Sequence, residues 1–131
     1  MKHGWTPLLR KALDAADRIC VRTGGASDSK GIETLFEVSD ATKVRAVVEQ
    51  IRLVNWDVGN CGCGGNPTLE FYVGTVHLLT LSVHHGFRLR WRGGEWPGDA
   101  DLTKESADFL CDWLARNGVH GPKKERAEAR K

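Results

Sequence analysis

The sequence predicts a single α+β domain, a mainly antiparallel sheet of about five strands with helices packed mostly on one face. Three observations carry that expectation. Val44, Val47, Val48, Ile51 and Val54 recur at helical spacing, with Lys43, Arg45, Glu49, Gln50 and Arg52 off the stripe. Residues 68–91 read as three apolar strands in succession, parted by Gly74-Thr75 and by His84-His85-Gly86. The chain has 131 residues, 40% of them hydrophobic and 27% charged, which suits one ordinary globular unit.

The elements follow in the order α-β-β-α-β-β-β-α over residues 1–120. Thr6-Pro7 is a helix start, with a hydroxyl at the N-cap and proline at the first helical position. Leu8, Leu9, Ala12, Leu13 and Ala16 continue it. Ile19-Cys20-Val21 is a short strand that stops at Gly24-Gly25, and GGASDSKG is a hairpin loop without the GK[ST] ending of a phosphate loop. Residues 32–38 form the second strand, and Ser39-Asp40 caps the valine-rich helix. Residues 60–67, NCGCGGNP, are irregular. Asp99 and Asp101 lack the glycine and distal glutamate of a calcium loop, so capping of the last helix by Asp101 or Thr103 accounts for that stretch. The helix runs from about Lys104 to Arg116, and Asn117-Gly118 stops it.

Side-chain parity sets the register of the central hairpins. A three-residue loop of His84, His85 and Gly86 places Val83 opposite Phe87, Leu81 opposite Leu89 and Leu79 opposite Trp91, all apolar and on one face. For the hairpin before it, Gly74-Thr75 suits a two-residue turn but sets Phe71 against Leu78. A three-residue loop including Val76 matches Phe71 with Leu79 and Leu69 with Leu81, and is preferred.

Charge separates the chain into two parts. The net charge is +2, but 121–131 (GPKKERAEARK) holds five basic and two acidic residues, or +3, which leaves −1 for residues 1–120. That near-neutral body gives no electrostatic case for nucleic acid. The tail is expected to be disordered. No apolar run reaches the ~18 residues of a membrane span, and the amphipathic N-terminus has no secretory h-region. The expected location is cytoplasmic, and the four cysteines are expected to be reduced, with Cys20 and Cys111 in the core.

Two groups of residues carry chemistry. Antiparallel pairing brings the loop with Cys61 and Cys63 to the sheet end that carries His84 and His85, and two thiolates with two imidazoles suit tetrahedral zinc. Cys-Gly-Cys is tighter than the C-x₂-C of zinc hairpins, so no cofactor is expected from the motif alone and zinc stands as the alternative. On the other sheet face Arg88, Arg90 and Arg92 alternate outward, with Thr80 and Ser82 across from the first two. This stripe suits an acidic ligand or a protein surface, or a solvated face paired with Glu70. Trp56 and Trp96, in loops, suit aromatic anchors for a partner. No GxSxG, HExxH, GxGxxG or paired CxxC occurs. The function expected is therefore a small non-enzymatic domain that binds a protein or acidic ligand. The alternative is a zinc module, or a metal- or thiol-dependent enzyme, centred on Cys61, Cys63, His84 and His85.

Overall fold

The computed structural model describes residues 5–23, 33–54, 65–92, 94 and 99–129. Four helices, α1 (Trp5–Ala12), α2 (Ala41–Gln50), α3 (Lys104–Arg116) and α4 (Gly121–Ala129), accompany seven strands. The strands are β1 (Arg18–Arg22), β2 (Thr34–Val38), β3 (Leu53–Val54), β4 (Thr68–Val73), β5 (Val76–His84), β6 (Arg88–Trp91) and β7 (Ala100–Leu102). They form one sheet in the order β2-β1-β4-β5-β6-β7-β3, every pair antiparallel.

The class is α+β as expected, with two more strands than the sequence suggested. Both additions are short, at two and three residues, below the length at which alternation can be read. β3 also shortens the valine-rich helix. Ile51 turns to extended backbone with ψ 114°, and Val54 leaves the stripe to pair with Asp101. Thr6 does not cap α1. The helix begins at Trp5, and the Thr6 hydroxyl accepts the Leu53 N–H at 2.9 Å, tying α1 to β3.

One face of the sheet is apolar and carries the core. Ile19, Val21, Leu69, Phe71, Leu81, Val83, Leu89 and Ala100 are all sealed from solvent there. They share a cluster with Leu9 and Leu13 of the first helical segment, Val44, Val47 and Ile51 of α2, and Leu110 and Leu114 of α3. Burial at about 25 cal/mol per Å² of apolar surface is the main force holding these helices to that face. Asp40 caps α2, its Oδ1 accepting from Thr42 and Lys43 N–H at 2.8 and 3.2 Å. Thr103 caps α3, and the Val119 and Gly118 N–H groups close its far end on the Leu114 and Ala115 carbonyls.

The hairpin registers differ in an instructive way. In the β4–β5 hairpin Val73 pairs with Val76 around a Gly74-Thr75 turn, yet Phe71 still meets Leu79 and Leu69 meets Leu81. A bulge at Leu78 between Tyr72 and Phe71 reconciles the two, so the local turn chemistry and the apolar match both hold. The β5–β6 turn is His85-Gly86-Phe87 rather than His84-His85-Gly86. Val83 therefore faces Leu89, Leu81 faces Trp91 and His84 faces Arg88. Face parity is kept, but His84 becomes a strand residue.

The C-terminus departs from the expectation of disorder over 121–131, since Gly121–Ala129 is helical. Almost no apolar surface holds it, which is why composition missed it. Pro122 is buried against Gly86, Arg126 pairs with Asp108, and Lys123 lies 3.0 Å from Asp112.

Candidate functional site

The second face of the sheet is polar across its breadth. Cys20 and Arg22 of β1, Thr68 and Glu70 of β4, Ser82 and His84 of β5, and Arg88 and Arg90 of β6 stand on it in register. Alternation explains this set, because each is the out-of-phase neighbour of a core residue.

Two arginines on β6 are fixed by two aspartates from the β7 segment. Arg90 donates from Nε to Asp99 Oδ1 at 2.6 Å and from Nη2 to Oδ2 at 3.2 Å, a bidentate fork. The Asp99 side chain has no exposure and that of Arg90 has 19%. Next to it Arg88 Nε donates to Asp101 Oδ1 at 2.8 Å, with both side chains near one-third exposed. Of the two caps the sequence offered for α3, Thr103 takes that role, and Asp101, with Asp99, is a partner of the arginine stripe. Glu70, the partner expected for that stripe, accepts from the Tyr72 hydroxyl at 2.8 Å and lies 3.7 Å from Arg22 instead. The Tyr72 phenol is pushed above its usual range, chiefly by that hydrogen bond to Glu70 and then by burial. Arg18 lies 3.7 Å from Glu37, with its guanidinium 4.3 Å from the Tyr72 ring centroid.

Arg92 extends the row. Its N–H donates to the Thr80 carbonyl at 3.0 Å, so the residue opposite Arg90 is Ser82 and that opposite Arg88 is His84, two positions along from the expected register.

Beside the arginines lies a buried hydroxyl–imidazole pair. Ser82 Oγ and His84 Nε2 are 2.8 Å apart, and both residues are fully buried. Gly65 packs its backbone directly over them: a Cβ there would stand 2.7 Å from His84 Nε2 and 2.9 Å from Ser82 Cβ. Its φ of +81° suits glycine for the same reason of space and backbone sign. Burial, and then the Arg90 charge, hold the His84 imidazole down to about 4, with Asp99 opposing. His84 is accordingly neutral at neutral pH.

His85 has other surroundings. It adopts left-handed backbone at φ 56°, and its Nδ1 lies 3.5 Å from Glu125 of α4. Cys61, Cys63, Trp56 and Trp96 lie outside the described residues. Among the described residues no group of three or more His, Cys, Asp or Glu side chains is placed to hold a metal ion. Cys20 and Cys111 are free and buried; Cys111 donates to the Gly86 carbonyl at 3.2 Å, and burial pushes its thiol up to about 11. Such a thiol is a poor nucleophile.

The Arg-x-Arg of β6 and the Asp-x-Asp of 99–101 share a two-residue period, and that shared period was the available signal for their pairing. Gly65 carried no signal beyond its glycine-rich context. Among the described residues no helix is long and apolar enough to cross a membrane. Comparison with protein-family models, curated proteins and solved structures found no match to this chain.

Proposed function

We propose that the protein is a small cytoplasmic interaction domain that docks a protein surface bearing carboxylates through Arg18, Arg22 and Arg88 of its polar sheet face, each about one-third exposed. The observation that carries this reading is the fixed row of guanidiniums. Arg88 is held by Asp101 of β7 and Arg90 by Asp99 just before that strand, and Arg18 and Arg22 extend the same face beside Glu37 and Glu70. Arg88, oriented by Asp101 and about one-third exposed, loses little rotamer freedom on binding a carboxylate. The interleaved carboxylates make the face a mixed-charge lattice, which favours a matched protein over a simple polyanion. Catalysis finds less support. Ser82 and His84, the pair with chemical potential, have no solvent exposure, so a substrate has no route to them in this conformation.

The test is capture with tagged protein from its native lysate, followed by cross-link mapping on the recovered complex. Cross-links on β1, β4 and β6, lost in an Arg22→Glu/Arg88→Glu variant of unchanged circular dichroism, support the reading. Cross-links confined to the helical side refute it.

A zinc reading retains one specific observation. The neutral His84 imidazole is packed against Gly65, two residues after Cys63 in sequence. A thiolate–imidazole site there would require Nε2 to give up Ser82 or use Nδ1. Elemental analysis decides it: less than a tenth of an equivalent of zinc, with no uptake on addition, ends this alternative.

A further inference from the structure

On the helical side of the molecule, away from the polar sheet face, a groove of ≈ 590 Å³ runs between α2, α3 and the edge strand β2. Its apolar wall is built from Val38, Val47, Phe109 and Trp113. The Trp113 indole is set by an edge-to-face contact with Phe36, centroids 5.2 Å apart, so the wall is a fixed aromatic surface. The volume falls within the ~300–1,000 Å³ typical of small-molecule sites.

Two cations and two carboxylates line its rim. Lys43, from the first turn of α2, and Arg116, from the last residue of α3, both line the groove and are exposed. Neither makes an ion pair or side-chain hydrogen bond among the described residues. The two carboxylates that also line it are already engaged. Asp40 caps α2, and Glu37 lies 3.7 Å from Arg18 Nε. An aromatic wall with two cations that no side chain pairs among the described residues suits a ligand with an apolar body and an anionic group.

We propose that this groove binds a small organic acid with a flat apolar body. The body lies on Trp113, Phe109 and Val47, and the acid group meets Lys43 and Arg116. This site meets the sheet face only at Glu37 and does not rest on the docking reading above.

The probe is 1-anilinonaphthalene-8-sulfonate, an aromatic body with one fixed negative charge. Its neutral counterpart is N-phenyl-1-naphthylamine. With the folded full chain, saturable one-to-one binding of the anion is expected, with amide NMR shifts concentrated at Lys43, Ala46, Trp113 and Asn117. Lys43→Ala/Arg116→Ala removes only exposed side chains; it should weaken the anion at least tenfold and leave the neutral probe within twofold. Ala46→Trp, filling the groove from the exposed side of α2, should remove both. Absence of saturable binding overturns the proposal, as do shifts centred elsewhere or equal loss of the two probes in the double variant. A hexaglutamate peptide that shifts these amides when the aromatic anion does not would also overturn it.

Discussion

Arg90 grips Asp99 through a two-point fork, with Nε 2.6 Å from Oδ1 and Nη2 3.2 Å from Oδ2, on a carboxylate sealed from solvent. This pair joins β6 to the segment entering β7 and sits beside the His84 imidazole. Removing one member leaves a buried charge uncompensated, whereas removing both with apolar residues does not. Asp99→Ala should therefore cost about 3–5 kcal/mol in urea unfolding, and Arg90→Met/Asp99→Leu far less than either single change. A loss below ~1 kcal/mol for Asp99→Ala would show that the pair is not structural.

His84 should make stability pH-dependent with a definite sign. The unfolded imidazole takes a proton near pH 6.5, while the folded one, faced by Ser82, Arg90, Arg92, Asp99 and His85, resists until about 4. Between those values the unfolded chain binds more protons, so stability falls as pH drops from 6.5 toward 4. The full effect is at most ~3 kcal/mol. His84→Gln should flatten that part of the profile. An unchanged slope in the variant would place the titrating group elsewhere.

Gly86 should control the docking of α4. Its φ is +78°, and a Cβ there would run into the Pro122 carbonyl and stand 2.9 Å from Arg126 Cβ. Left-handed backbone alone costs an alanine about 1–2 kcal/mol. Gly86→Ala is expected to release the C-terminal helix, read as faster amide exchange over 121–129 with the sheet unaffected. The helix should also loosen in salt, because Lys123–Asp112 is an exposed pair. Lys104 and then Arg126 hold Asp108 below the usual carboxylate range. That contribution is present above the ordinary carboxylate pKa and lost as pH falls through the lowered one. Equal exchange in Gly86→Ala would contradict this account of the contact.

Sequence reasoning reached the fold class because the α2 stripe and the β4–β5–β6 alternation are strong, local and mutually consistent. It missed β3 and β7 because runs as short as Leu53–Val54 have no readable period. It placed the histidine turn two positions off in register because parity fixes the face but not the pairing, and the deciding contacts, Gly65 on His84 and Pro122 on Gly86, are non-local. The arginine row was legible as a face. Its ion pairs were not, since Asp99 and Asp101 arrive from a separate strand. The groove between α2 and α3 had no linear signature at all.

The most direct measurement compares two single changes on opposite sides of the molecule against the partner recovered by capture. Arg88→Glu alters the sheet face and Lys43→Glu the helical groove, each at an exposed or part-exposed side chain. Reversing the Arg88 charge should reduce affinity at least tenfold, and reversing Lys43 should leave it within twofold. Retained affinity in Arg88→Glu, with loss in Lys43→Glu, would contradict the assignment of the polar face as the docking surface.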